Sequence, residues 1–486
     1  MAELRSTTRQ RAARAGRPVP PALRLQSRRL VASCFGGLIL LIAAGCGLNP
    51  QKNYQRLRPM LVQRDYNAAN NYLNSVKTSF YSKKNRLLFY MDKAMTLFLA
   101  KRYKESNVFL EKAKLAAEEL WTESVGEHAA SWLTTDNSLS YQGEDFEKVM
   151  LHFIGALNYI GLGDYESARV EARQVTQKLE YYNQRYGEDA KNVYNDDAFA
   201  RWLAGKLSET AGGYSALNSA WIDYQKAISV YKNQYAERYG TQLPTIVIQD
   251  ALRVLEALGD DFRSDYEALR AKHPDVSYTP AQEAQKQGEL ILFHLNGEAP
   301  YKVDRFWTVS TSKGVIRIAY PQFVAKPHGI TTARMRAAEH QASASTRLVQ
   351  DITAIAMRNL QDHIGRIKAK AIARAVAKYV ASRSLYEGGR AVRNNSDKQG
   401  GKGLGAAMQL AGLLTNVGSA LAEEADKRSW ITLPAQIRVA RLFLPPGPTR
   451  VLVEFVRADG SVARTQSFNV DLEAGQTEFI TTRTYE

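Results

Sequence analysis

The sequence predicts an α+β chain of two folded parts, an all-helical part over residues 46–274 and a mixed β part over residues 275–486. Three observations predict it. Apolar residues recur at spacings of three and four through residues 54–240, with few prolines or β-rich runs to interrupt them. The composition shifts near Pro274, where VSYTPAQEAQKQG reads as a linker. Beyond it come short runs rich in Val, Ile and Phe, bounded by turn residues. Residues 1–45 fit neither part.

Those first residues hold eight arginines and no lysine, then the apolar run LVASCFGGLILLIAAG from Leu30 to Gly45, then Cys46. The run is the length of a signal-peptide core and short for a membrane span. The order resembles a bacterial lipoprotein signal, with Ala43 where Leu is usual three residues before the cysteine. The resemblance implies cleavage before Cys46 and lipidation (diacylglycerol and palmitate) on it. An uncleaved signal anchor is the alternative. Gly47-Leu48-Asn49 lacks an Asp directly after the cysteine, which by the same resemblance implies an outer-membrane anchor facing the periplasm. Three acyl chains would hold it stably. Cys34 leaves with the signal, so the remaining single cysteine permits no disulfide within the chain.

The net charge of +16 falls to about +9 once residues 1–45 are removed, with 57 basic against 48 acidic side chains. That suits a mildly basic surface, attracted to anionic envelope polymers or head groups. No recognition motif supports nucleic-acid binding. No later stretch holds about 18 uninterrupted apolar residues, so no further membrane helix is expected.

Within the helical part, 18 of the 25 tyrosines fall between residues 54 and 240. The segment LNYIGLGDYESARVEA carries the clearest pattern. Ala156 and Ala168 allow two antiparallel helices to approach closely. Tyr159 packs with them, Gly163 suits a left-handed turn, Asp164 caps the next helix and Tyr165 fills the groove between the pair. This resembles a tetratricopeptide repeat (TPR), a helix-turn-helix unit of about 34 residues. Looser copies run from Tyr90 to Ala113 and from Trp202 to Ala227. Tyr103 and Tyr165 lie 62 residues apart, so the repeats would be embellished. Such stacks leave a concave surface for a peptide or helix. Arg169 and Arg173, one turn apart, are candidates to grip a partner's carboxylate. Pairing with Glu166 or Glu171 is the alternative.

The β part opens with strand candidates in 288–320 and closes with four more, IRVARLFL, TRVLVEFV, RTQSFNV and TEFITTRT. Asp459-Gly460 signals a hairpin. A β-sandwich-like domain is expected, its first and last strands pairing across a helical insert at 332–425. Residues 386–403 read as a flexible loop. GLGAAMQLAGLLTNVGSALAEEA reads as a helix packed closely on another, with membrane contact as the rival role. Trp430 is a packing anchor or a partner-binding residue, with Arg428 or Asp426 holding the turn beside it.

Together GEDFEKVMLHFIGALNYIGLGDYESARVEAR (143–173), DKRSWITLPAQIRVARLFLPPG (426–447) and the lipidation signal resemble an uncharacterised family of proteobacterial envelope lipoproteins with an N-terminal TPR-like half. The resemblance implies no activity. The seven histidines are scattered, without HExxH or a close ligand pair, so no metal and no cofactor is expected. Glu144, Asp145 and Glu147 are explained by a helix N-terminus. The expected function is a non-enzymatic, lipid-anchored periplasmic adaptor for a protein partner of the cell envelope. A glycan-binding or enzymatic C-terminal half, and a component of an export complex, are the alternatives.

Overall fold

The computed structural model describes residues 50–126, 139–185, 194–311, 314–395, 405–406, 408–409 and 424–486. They lie in one compact unit spanning residues 49–486. Cys46, and most of 403–425, lie outside the described residues. The chain is mixed, with helices first and strands last. The expected boundary at 274/275 falls inside this unit.

The helices are α1 (Pro50–Val62), α2 (Tyr66–Ser75), α3 (Arg86–Leu99), α4 (Tyr103–Gly126), α5 (Asp145–Gly161), α6 (Tyr165–Arg185), α7 (Ala198–Ala211), α8 (Tyr214–Val230), α9 (Thr245–Leu258) and α10 (Arg263–Lys272). Three antiparallel pairs, α3–α4, α5–α6 and α7–α8, follow one another. Their turns place residues at positive φ: Lys101 before α4, and before α6 and α8 the glycines Gly163, Gly212 and Gly213, which adopt it without steric cost. Side-chain caps start the helices; Asp197 Oδ1 accepts the Ala200 N–H at 2.7 Å and Asp164 Oδ1 the Ser167 N–H at 3.0 Å. Fifteen of the 17 residues of α5 are buried, which makes it the central helix.

Close approach within the pairs rests on small side chains. Ala156 on α5 and Ala168 on α6 are fully buried. Gly205 on α7 sits under the fully buried ring of Tyr224 on α8, where a Cβ would lie 2.7 Å from the ring and 3.2 Å from the Ala220 carbonyl. The ring cannot retreat, because its hydroxyl also donates to Glu209 at 2.6 Å. Gly205→Ala should therefore cost about 1–3 kcal/mol by overpacking. A urea midpoint unchanged from wild type would show that the pair has slack.

The strands are β1 (Gly288–Asn296), β2 (Tyr301–Thr311), β3 (Gly314–Val324), β4 (Ile330–Ala337), β5 (Ala342–Ser345), β6 (Arg347–Asp351), β7 (Gln436–Leu444), β8 (Gly447–Arg457), β9 (Val462–Leu472) and β10 (Thr477–Arg483). One sheet has the order β10-β1-β7-β6, a second β5-β4-β8-β9, and β2–β3 form a separate hairpin. The expected pairing of first and last strands is realised by β1, parallel to β10 and antiparallel to β7. Every residue of β1 is buried, because both its faces are covered. Ile291, Phe293 and Leu295 belong to the core shared with the helices. Leu290 and Leu292 face Met335, Val453 and Phe455 of the second sheet's core. Phe293 contacts Phe199 and Trp202 of α7, so one core runs through the helices and the first sheet.

The helical insert expected from residue 332 begins only at Ile352. Residues 330–351 form β4, β5 and β6 instead. Ala333, Met335 and Ala337 alternate with polar residues and point into the core, a period of two that β8 captures by pairing. The helix α11 (Ile352–Asn394) then runs through the first half of the expected loop at 386–403. Gly389, inside that stretch, serves a crossing: a Cβ there would lie 2.7 Å from both the Gly405 carbonyl and the Gln409 nitrogen.

Candidate functional site

Two buried polar clusters join helices to strands. The first begins at the N-terminus of α5. Glu147, fully buried, accepts hydrogen bonds from the Tyr141 hydroxyl (2.5 Å), the Glu144 N–H (2.9 Å) and the Trp430 backbone N–H (2.6 Å). Burial, with the neighbouring Glu144 charge, pushes its carboxyl up to about 7. Glu144 in turn accepts from the buried Lys302 ammonium at the base of β2. Asp426 pairs with Arg428 at 2.7 Å, and the Arg428 Nη1 donates to Asn85 and to the Leu139 carbonyl, both at 2.9 Å. One step on, Thr432 donates to Asp92 at 2.9 Å, and Tyr81 donates to its other oxygen at 2.8 Å. Burial lifts the Asp92 carboxyl to about 7 as well. A cleft of about 320 Å³ opens here, bordered by Tyr141, Glu144, Lys302, Pro321, Asp426 and Arg428. Its charged walls bond to one another, so the arrangement is a latch; the group that exchanges a proton near neutral pH, Glu147, stands behind them.

The second cluster sets three cations against three carboxylates. Lys206 meets Glu289 at 2.5 Å and Glu209 at 3.1 Å; Arg253 meets Glu209 at 2.6 Å; Arg441 meets Glu289 at 3.3 Å. Asp250 accepts from Arg253, from Arg441 and from the Trp202 indole N–H, the last at 2.8 Å. Burial alone would raise Asp250, but Arg441, Arg253 and Lys206 hold it well below the usual carboxylate range. These residues come from α7, α9, β1 and β7, and a cavity of about 190 Å³ borders them. Among the described residues no group of three or more His, Cys, Asp or Glu could hold a metal ion.

The residues singled out from sequence lie as follows. Ala156 and Ala168 meet in the α5–α6 contact, with Gly163 at its turn and Tyr159 half-buried beside the core. Tyr165 packs on Phe479 of β10 at 5.6 Å, and its hydroxyl donates to the Thr477 carbonyl at 3.2 Å. It thus ties α6 to the sheet, where it was expected to fill the groove between its own helices. Arg169 pairs with Glu166 at 2.7 Å, and Arg173 reaches Asp223 on α8 at 3.0 Å. Trp430 is buried in the shared core, and among the described residues its indole nitrogen has no hydrogen-bond partner.

A surface that the sequence reading passed over lies on the second helix of each pair. Lys114 on α4 bridges to Glu171 on α6 at 2.6 Å, and Arg173 on α6 to Asp223 on α8, so the three helices are neighbours. Leu115, Val170 and Ile222, each one residue from a bridging side chain, are 66%, 51% and 44% exposed. Val108 and Tyr214 are exposed on the same helices. Each apolar residue stands on the polar stripe of its helix, as in EKAKLAAEE and SARVEAR, and that misplacement was the available signal. Compared with known proteins, the chain matches no family model, and no curated protein matches it.

Proposed function

We propose that this protein is a lipid-anchored periplasmic adaptor of the outer membrane, without catalytic activity, that binds an envelope protein through the outer face of its helical pairs. The pairs are TPR-like: small residues at the helix contact, a positive-φ residue at the turn (a glycine in two of the three), and an aromatic after it. In this reading the chain belongs with the proteobacterial envelope lipoproteins it resembles, and Cys46 carries the anchor. The two sheets act as a sandwich-like support. The first helices of the pairs are engaged by the chain itself: Glu147 by Trp430, Asp92 by Thr432, and Phe199 by Phe293. A partner therefore meets the second helices.

The observation that carries the proposal is the exposed row Leu115, Val170 and Ile222 on three salt-bridged helices. Apolar side chains gathered and exposed on one face of a rigid framework mark a contact surface. The test is crosslinking in intact envelopes with the triple variant L115E/V170E/I222E beside wild type. The variant should lose the crosslinked partner while its thermal unfolding stays close to wild type, because none of the three is buried. Partner capture at wild-type level would remove the row from the interface.

A further inference from the structure

Beyond residue 45 the net positive charge is concentrated in one place. Residues 301–324 and 352–394 hold 13 Lys or Arg against three Asp or Glu. The rest of residues 46–486 holds 44 basic against 45 acidic side chains, so it is close to neutral. These two stretches are the β2–β3 hairpin and α11, and the structure joins them. The hairpin is a two-stranded sheet of its own. The helix packs on it through Ala371 and Ile372 against Ile318, with the Lys368 ammonium 4.5 Å from the Tyr320 ring.

Large apolar side chains are exposed on the same two elements. Phe306 and Trp307 of β2 are 44% and 46% exposed, and Val376, Val380 and Tyr386 of α11 are also exposed. Phe306 and Trp307 are consecutive in a strand, so they point to opposite faces of the hairpin. The Arg317 guanidinium lies 3.5 Å from the Phe306 ring centroid, and the exposed Arg305 donates to Gln322. Basic side chains beside exposed aromatic rings are the composition that settles at a bilayer interface, rings among the head groups and cations on the phosphates.

We propose that the β2–β3 hairpin and α11 dock on a bilayer surface of anionic lipids. An acidic protein would satisfy the charge equally well. The five exposed apolar side chains set among the cations favour the bilayer, where rings and aliphatic chains sink below the head groups while the cations stay at the phosphates. This contact needs neither the lipid on Cys46 nor the helical interface.

The test uses the full chain and its variants, all with the same N-terminus, on vesicles of phosphatidylcholine alone or with phosphatidylglycerol. Any anchoring by the N-terminus is common to all samples, so the gain from phosphatidylglycerol reports the arm. The charge-reversal variant R305E/R317E/R390E/R393E should weaken that gain by on the order of 100-fold. F306S/W307S should weaken binding to the mixed vesicles while keeping its salt dependence. If the charge-reversal variant misfolds by circular dichroism, wild type in high salt replaces it, and the gain should vanish there. Equal binding to both vesicle types overturns the proposal. So does a gain that survives charge reversal or high salt, or wild type that ignores anionic vesicles yet binds soluble polyglutamate.

Discussion

Asp250→Ala is expected to destabilise the fold by about 3–5 kcal/mol, the largest loss for any single side chain in the second cluster. Asp250 is fully buried and takes hydrogen bonds from Arg253, Arg441 and the Trp202 indole. Removing it leaves three largely buried cations facing two carboxylates, and leaves the Trp202 N–H without an acceptor. Asp250→Asn keeps an acceptor for Trp202 but not the charge, so it should fall between wild type and the alanine variant. The control is Arg263→Ala, which removes a fully solvated partner of Asp260 and should leave the midpoint where it is. Urea unfolding followed by near-ultraviolet circular dichroism reads both the midpoint and the environment of Trp202. A loss under about 1 kcal/mol would mean that the cluster is hydrated, against the burial on which the prediction rests. Because the cluster spans α7, α9, β1 and β7, its integrity also sets how rigidly the helical pairs are presented.

Much of this architecture could be read from the chain because the decisive signals were local. Gly163 and Asp164 marked a helix end and the next helix start. Short runs rich in Val, Ile and Phe between turn residues marked β7 to β10, and Asp459-Gly460 marked the hairpin between β8 and β9. What was missed depended on partners far away in sequence. Residues 333–337 read as helix-compatible until β8 paired with them from more than 110 positions away. The first half of 386–403 was read as a loop, because the close approach that Gly389 permits is to Gly405, on the far side of a crossing. The first polar cluster was half visible. Glu144, Asp145 and Glu147 were legible as a helix start, and Glu147 does accept the Glu144 N–H. Its second duty toward Trp430, 283 positions on, leaves no local trace. Arg169 and Arg173 were chosen for their charge, yet the exposed row runs through Val170 between them. An apolar residue on a polar stripe was the stronger signal.

Glu147→Gln should gain stability relative to wild type by about 3 kcal/mol as the pH rises from 4.5 to 7.5. The ordinary glutamate value is 4.5, and burial with the Glu144 charge lifts the folded-state value to about 7. Below 4.5 both the folded and unfolded chains carry the proton. Between 4.5 and 7 the unfolded chain has released it while the folded chain still holds it, so stability drains from the wild type through that window. Above 7 the loss is complete and a buried carboxylate faces the Trp430 N–H. Glutamine carries no such charge, so the variant escapes the loss. It keeps an acceptor for Trp430 but presents an amide to the Glu144 N–H, a cost of about 1–3 kcal/mol that is independent of pH. Other buried groups titrate nearby. Asp92 is lifted in the same direction as Glu147, while burial lowers His152 and His294, which gain stability as the pH rises toward their ordinary value. These contributions are shared by both proteins and cancel in the difference. Paired unfolding curves at several pH values therefore isolate one carboxyl, and parallel profiles for the two proteins would show that Glu147 is ionised throughout. If the profiles converge as expected, the latch between α5 and the Trp430 segment tightens in mild acid and loosens above neutrality, where α5 has the least support from the strands.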